Sequence, residues 1–497
     1  MKVMQMLNYK LNKYTTILEA QNGQLEKLIQ IAEQDPWKPI FHIHPECGLL
    51  NDPNGLAHFN GEYHIFYQWF PFGPIHGMKH WAHVKSKDLV QWERMPVAII
   101  PTEDYEAQGA YSGNAIVKDD ELILFYTGNI KYSDELRDAN QCVAIMNKNY
   151  KTSKLSSNPV IKGVPEEYTG HVRDPKVWEV SGKYYMLLGA QRKNLTGALI
   201  VYESNDATTW NFKGELKTSL EDFGYMWECP DYFTLGGKDI LLFSPQGVEN
   251  KDHDYQNLYN VIYAVGKMDI DKLTFDIESI GELDKGFDFY APQTFQDDFG
   301  RRLLFGWAGM PENQYPSDVN QWAHCLTVPR ELVFAENIIK QKPVHELEVL
   351  RTDGVTIKGI LDGTSVDVQN NSNSYELNVE FTSVESSNML LQLFKSEQEA
   401  FNLCFDVKNN VVSVDRQTFS NPIGNEIGCS RTAMINLGDK ITLQIFVDRS
   451  IIEIFINDGA LVFTSRAFPQ ELVTGITMSA TGKVEYNVNK YNLKKGI

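Results

Sequence analysis

Five segments of this 497-residue chain follow one plan. Each has a short polar or proline-containing turn, a strand, a Gly or Asp turn, and an aromatic strand ending near Gly or Pro. The first runs from Asp52-Pro53-Asn54-Gly55 to Tyr63-His64-Ile65-Phe66-Tyr67. The second runs from Tyr111-Ser112-Gly113-Asn114 to Ile123-Leu124-Phe125-Tyr126, and the third from Arg173-Asp174-Pro175 to Tyr184-Tyr185-Met186-Leu187. The fourth runs from Glu228-Cys229-Pro230-Asp231 to Ile240-Leu241-Leu242-Phe243, and the fifth from Tyr290-Ala291-Pro292 to Leu303-Leu304-Phe305-Gly306-Trp307. With Pro53, Gly113, Pro175, Pro230 and Pro292 as markers, the steps are 60, 62, 55 and 62 residues. The later part of a unit recurs too: Ser86-Lys87-Asp88-Leu89-Val90-Gln91-Trp92 resembles Ser204-Asn205-Asp206-Ala207-Thr208-Thr209-Trp210. Such a step holds a four-stranded antiparallel sheet, and repeated sheets bury their faces against one another. Five sheets about one axis make a five-bladed β-propeller. The alternative is a β-rich fold with accidental similarity.

Two regions lie outside the repeat. Residues 14–35 carry Ile17, Leu18, Leu25, Leu28, Ile29 and Ile31 among polar residues, which predicts a helix. After Arg330 a partly helical connector passes through His345-Glu346-Leu347-Glu348-Val349-Leu350. Alternation then dominates, as in Tyr375-Glu376-Leu377-Asn378-Val379-Glu380-Phe381. Asn457-Asp458-Gly459 between apolar runs predicts a hairpin. The predicted chain is therefore all-β: a five-bladed β-propeller followed by a C-terminal β-sandwich, with a short helical N-terminal extension. The expected bounds are 1–36 for the extension, 37–335 for the propeller, 336–351 for a linker and 352–497 for the sandwich.

A propeller brings the head of each blade's first strand to one central pocket. The heads carry Asp52, Ser112, Arg173 with Asp174, Glu228, and Tyr290 with Asp288 nearby. Three acids in one funnel repel, so at least one should titrate high. A lone Asp-Pro would read as an ordinary turn; acids at three matching repeat positions point to chemistry. Paired carboxylates suit glycoside hydrolysis, in which one acid attacks or activates water and another protonates the leaving oxygen. Asn51, Gln68, Trp69, Trp81, Tyr111, Ser112 and Trp307 suit a sugar: amides and hydroxyls bond its hydroxyls, and indoles stack on its ring.

The residues resemble glycoside hydrolase family 32, the invertases and fructanases. Leu50-Asn51-Asp52-Pro53-Asn54-Gly55 is similar to that family's N-D-P-N-G box, Arg173-Asp174-Pro175 to its R-D-P box, and Glu228-Cys229-Pro230-Asp231 to its E-C-P-D box. Phe287-Asp288-Phe289-Tyr290-Ala291-Pro292-Gln293 and Gly306-Trp307-Ala308-Gly309 resemble two more. Val447-Asp448-Arg449-Ser450-Ile451-Ile452-Glu453-Ile454-Phe455 resembles its C-terminal signature. The resemblance implies Asp52 as nucleophile, Glu228 as general acid and base, and Asp174 as stabiliser of the oxocarbenium-like transition state. It implies retention of configuration and release of fructose. Arg173 is a candidate for orienting a carboxylate. Leu49-Leu50 before Asn51, where many secreted members have Trp-Met, resembles the intracellular members that act on sucrose 6-phosphate. Lys79, His80 and Arg192 are candidates for a phosphate contact, against an ordinary place on the solvated surface.

The rival functions are a fructan (inulin or levan) hydrolase, an inverting glycosidase on the same propeller, and a non-catalytic sugar-binding propeller. Lys plus Arg is 46 against 65 Asp plus Glu, a net charge of −19. That excludes nucleic-acid and anionic-membrane partners, which need a basic field. His42, His44, His64, His76, His80 and His83 crowd together, yet none forms an H-x-x-x-H pair on a helix, so neither metal nor cofactor is expected. The polar first 19 residues and six scattered cysteines predict a cytoplasmic chain; its expected partner is the small sugar that the funnel residues suit, and the sequence leaves monomer and homodimer both open.

Overall fold

The computed structural model describes residues 13–133, 136–424, 427–471 and 473–497. Five antiparallel sheets follow one another along the chain. The first holds Gly48–Phe59, Glu62–Phe70, His80–Ser86 and Glu93–Ile99, joined by the short parallel strand Trp322–Ala323. The second holds Ala115–Lys118, Glu121–Lys131, Arg137–Met146 and Thr152–Lys154. The third holds Tyr168–Val180, Lys183–Arg192, Gly197–Ser204 and Asn211–Glu215, and the fourth Met226–Leu235, Lys238–Gln246, Ile262–Asp269 and Thr274–Glu282. The fifth holds Tyr290–Gln296, Arg302–Ala308, Arg330–Ala335 and Ile338–Pro343. The first strand of each sheet touches the first strand of the next, and Tyr290–Gln296 touches Gly48–Phe59, so these contacts close into a ring.

The second strands are apolar on both faces because a neighbouring sheet packs on each. Leu122, Leu124 and Tyr126 meet Phe59, Phe66 and Trp81 of the first sheet. Ile123 and Phe125, pointing the other way, meet Val172, Met186 and Leu188 of the third. Leu187 and Leu199 then meet Trp227, Leu241 and Phe243 of the fourth, while Ile240 and Leu242 share a cluster with Leu303, Leu304, Ile65 and Leu50. Each such side chain is worth about 1.5–3 kcal/mol when fully buried. The recurring Ser-x-Asp segments build the same turn twice: Ser86 Oγ bonds Asp88 at 2.9 Å, and Ser204 Oγ bonds Asp206 at 3.0 Å.

The remaining strands form two six-stranded antiparallel sheets. One contains Ser374–Thr382, Lys440–Asp448 and Ile451–Ile456; the other contains Asn388–Lys395, Phe401–Asp406 and Gly475–Ala480. Leu377, Ile445 and Ile454 of the first share a core with Leu391, Leu403 and Met478 of the second. The segment 336–351 differs from the expected linker. It supplies the last strand of the fifth sheet, because Ile338–Pro343 pairs with Arg330–Ala335 across a two-residue turn, and only then forms the 3-10 helix His345–Leu350. The expected N-terminal helix is shorter than its pattern: Ile17–Glu19 is a 3-10 turn and Gln24–Glu33 the α-helix, separated at Gly23, whose φ is 76°. Residues 1–12 of the expected extension lie outside the described residues.

Buried ion pairs lock the C-terminal sheets to the others. The His42 ring bridges Asp448 at 3.0 Å and Glu453 at 2.9 Å. Glu453 also receives Arg330 Nη2 at 2.6 Å, and Arg330 Nη1 reaches Asp284 at 3.1 Å. Asp288 belongs to a similar contact, bonded by Tyr315 OH at 2.6 Å and Arg416 Nη1 at 2.8 Å, and so faces away from the acids of the ring.

Candidate active site

The repeat aims the acids by breaking the ladder. A β-bulge interrupts the first strand between Leu50 and Pro53, Arg173 and Lys176, Glu228 and Asp231, and Tyr290 and Gln293. An extra residue in one strand bends it and redirects its side chain. The residues before proline in three of these bulges, Asp174, Cys229 and Ala291, have φ of 64°, 46° and 46°. That left-handed conformation is strained for residues other than glycine and clusters at functional sites. At the second head glycine stands where the others have proline: a Cβ on Gly113 would lie 1.8 Å from the Phe125 carbonyl oxygen.

Asp52 sits in a closed network. Its Oδ1 accepts from Asn51 Nδ2 at 3.0 Å, and its Oδ2 accepts from Ser112 Oγ. Asn51 Nδ2 also donates to Gln68 Oε1 at 2.7 Å, and Gln68 Nε2 donates to Ser112 Oγ. Lys79 Nζ completes the group, 2.6 Å from Asn51 Oδ1. These donors are side chains and not the amides of the turn. Asp174 Oδ2 accepts from the Cys229 amide at 2.9 Å, and its own amide donates to Thr127 Oγ1 at 3.2 Å. The Cys229 thiol lies 3.8 Å from Asp52 Oδ2 and 3.6 Å from Asp174 Oδ2, so the two carboxylates converge on one sulfur. Glu228 is clamped at both oxygens. Arg173 Nε and Nη2 reach Oε1 at 3.0 and 2.6 Å; Tyr290 OH and Gln246 Nε2 each reach Oε2 at 2.6 Å.

Burial pushes Asp174 up to about 7; Arg173 opposes the rise, and the charges of Glu228 and Asp52 add to it. Asp52 is also raised, by burial first, with the Ser112 hydrogen bond opposing and Glu228 adding. Burial lowers Lys79 to about 7 against the pull of Asp52. Burial, then the charge of Glu228, holds the Tyr290 phenol well above its ordinary value, so Tyr290 stays a donor. The expected crowding of acids thus appears as high titration of two of them.

Asn51, Gln68, Ser112 and Arg173 stand where the repeat predicted. Tyr111 borders Arg173, close enough for its hydroxyl to feel that charge. Five residues that the sequence singled out, Trp81, Leu50, Leu49, Trp307 and Trp69, are packed in the structure. Trp81 lies on the third strand of its sheet, a strand removed from the ring. It is fully buried against Phe66 and Tyr126, with Nε1 donating to the Tyr111 carbonyl at 3.0 Å, so it supports the site from behind. Leu50 points into the core, and only its carbonyl is used, accepting from His324. Leu49 is buried at the junction with Trp322–Ala323. Trp307 is 1% exposed, packed edge-on to Tyr290 at 6.2 Å. Trp69 donates to the Cys47 carbonyl and packs in the core.

Of the phosphate candidates, Lys79 belongs to the Asp52 network, His80 Nε2 accepts from the Ile17 amide at 3.0 Å, and Arg192 pairs with Glu215 at 2.9 Å. His64 and His83 contact each other at 3.0 Å, His42 bridges Asp448 and Glu453, and among the described residues no group of three His, Cys, Asp or Glu could hold a metal ion. Sequence reasoning missed Thr127, Cys229 and Gln246 as site residues. The repeat carries a signal for two of them, since Gln68, Thr127, Gln191 and Gln246 all fall near the ends of second strands.

The family model for the Glycosyl hydrolases family 32 N-terminal domain matches residues 42–343, and that for the family's C terminal matches residues 346–495. A sucrose-6-phosphate hydrolase of Staphylococcus xylosus is 39% identical over 98% of this chain and 98% of its own length. One of Bacillus subtilis is 40% identical over 95% of this chain and 97% of its own. The structure of sucrose-6-phosphate hydrolase from Lactobacillus gasseri superposes with a TM-score of 0.91 at 33% identity, covering 98% of this chain and 99% of that one. A GH32 beta-fructofuranosidase mutant of Bombyx mori in complex with sucrose gives 0.83 at 32% identity, covering 96% and 99%.

Proposed function

The chain belongs to glycosyl hydrolase family 32, and from that membership we propose that it is a retaining β-fructofuranosidase, releasing fructose from sucrose 6-phosphate and from sucrose. Asp52 attacks the anomeric carbon of the fructosyl unit while Glu228 gives its proton to the departing glycosidic oxygen. Water then hydrolyses the fructosyl ester on Asp52, and Glu228 takes the proton back. Asp174 holds fructose hydroxyls as positive charge develops at the ring. Arg173, Tyr290 and Gln246 position Glu228, while Ser112 and Asn51 position Asp52.

The observation that carries this is the meeting of Asp52 and Asp174 at the Cys229 thiol, one residue after the clamped Glu228. Three acids from three sheets gather at one site, and a two-step displacement at a sugar uses two of them, one as nucleophile and one as acid and base. The closed ring of first-strand contacts supports the five sheets as blades of a propeller, with the two six-stranded sheets as a sandwich. The names of the bacterial relatives support the phosphorylated substrate. That Cys47, Cys142, Cys229, Cys325 and Cys404 form no disulfide supports a reducing, cytoplasmic setting, and no helix among the described residues is long and apolar enough to cross a membrane.

Two measurements test this. The kcat/KM for sucrose 6-phosphate should exceed that for sucrose; equal values, or a preference for inulin or levan, overturn the substrate. Proton NMR of early product should show fructose with the substrate's anomeric configuration, and inverted product would overturn the Asp52 ester.

A further inference from the structure

Net charge is −19, yet the wall of the site beyond Arg173 gathers positive charge. Lys131 and Arg137 are direct cross-strand partners at the turn end of the hairpin Glu121–Lys131 and Arg137–Met146. The strand Tyr168–Val180 passes beside them. A Cβ on Gly170 would lie 2.1 Å from the Arg137 carbonyl oxygen and 2.8 Å from its Cγ, so glycine at this position permits the approach. The next residue, His171, accepts from Arg173 Nη1 at its Nδ1, 3.1 Å away. Its other ring nitrogen then carries the proton and is a donor. Moving outward from the acid, the order is Glu228, Arg173, His171, and then Arg137 with Lys131.

These cations differ in what balances them. Arg173 is matched by Glu228 at 2.6 Å. Arg137 makes no ion pair with a described residue, and its Nε is buried without a hydrogen-bond partner. Burial lowers the Arg137 pKa, and the charge of Arg173 lowers it further. Burial, then Arg173 and Arg137, lowers His171 to about 3, so at neutral pH it offers an uncharged N–H. Arg137 is half-buried with its Nε enclosed, and a partly desolvated guanidinium near another cation is costly unless an anion joins them.

We propose that Arg137, with His171 and Lys131, is the binding site for the phosphate of a sugar phosphate monoester whose glycosidic oxygen is protonated by Glu228. The assignment rests on Glu228 as the acid: the leaving glucose unit departs on that side, and its phosphate meets the cations beyond Arg173. A phosphate monoester carries about −1.5 to −2 charge at pH 7 and three acceptor oxygens, which match a guanidinium fork and a ring N–H. The local cluster thereby works against the acidic field of the whole protein.

The test is the ratio of kcat/KM for sucrose 6-phosphate to that for sucrose, measured on wild type, Arg137→Gln and Arg137→Lys. Both substrates are assayed on one preparation, so loss of folded protein cancels from the ratio. Arg137→Gln should lower the ratio by about tenfold to a hundredfold, the worth of a hydrogen bond to a charged group, and Arg137→Lys by less. Glucose 6-phosphate should inhibit wild type more tightly than glucose does, and Arg137→Gln should narrow that difference. A wild type that prefers the phosphorylated substrate, with a ratio unchanged by Arg137→Gln, overturns the site alone. A wild type with no such preference overturns the substrate assignment and the site together.

Discussion

The backbone amide of Cys229 donates to the Asp174 carboxylate at 2.9 Å. The bulge that presents Glu228 on the fourth sheet therefore also seats the acid of the third, and neither head is complete without the other. Cys229 adopts φ of 46° to make this bond, and its thiol stays protonated because burial, then Asp174 and Asp52, raises its pKa well above the ordinary thiol value.

Asp174→Asn should make the protein more stable at neutral and alkaline pH. In the unfolded chain Asp174 titrates near 3.8; in the fold burial moves it to about 7. Below the lower value both states are protonated and its contribution is fully present. Between the two values the unfolded state ionises first, so stability falls as pH rises, and the loss is complete above the higher one. The gap between variant and wild type in urea unfolding should grow from near zero below about pH 4 to roughly 4 kcal/mol at about pH 8. Parallel pH profiles for the two proteins would refute it.

Asp52→Asn should lower fructose release by about a thousandfold or more while leaving thermal unfolding close to wild type. The amide keeps an oxygen for the Ser112 bond but cannot form the ester. Near-normal turnover would remove Asp52 as the nucleophile.

Glu228→Gln should cost about 10²–10⁴-fold on sucrose and much less on a β-fructofuranoside with an acidic leaving group, which needs no proton. The variant keeps one acceptor oxygen for Arg173, while the amide NH2 on the other side can only donate, to a Tyr290 hydroxyl turned to accept, so the side chain is held by Arg173 and loses the bond from Gln246. An equal loss on both substrates would count against the acid role.

Glu453→Ala should destabilise the chain by about 3–5 kcal/mol, because it leaves Arg330 and His42 buried without their shared partner. Chemical denaturation checks this, and a change below about 1 kcal/mol would mean the junction contributes little.

Much of this was legible before any coordinate. The Pro53, Gly113, Pro175, Pro230 and Pro292 markers identify the five sheets, since each step had to close one hydrogen-bonded unit. The C-terminal signature was legible for another reason: Asp448 and Glu453 are the buried partners of His42 and Arg330, and a buried charge demands its partner. What misled was composition read without direction. Trp81 and Leu50 are in sugar-site company along the chain, yet one lies on a third strand and the other faces the core. Asp288 sits in a recognisable box but turns toward Arg416.

The sequence by itself determined the repeat, the identity of the three acids and the family, because each depends on residue types at fixed local spacing. Only the tertiary structure decided which groups surround those acids. Thr127 and Arg137 come from the second sheet, Gln246 from the fourth and Lys79 from the edge of the first, and their placement around the acids depends on how five sheets close into a ring. The proposed phosphate cluster was invisible for the same reason. Its cations are ordinary surface charges along the chain and become a site only when Gly170 lets one strand lie against another.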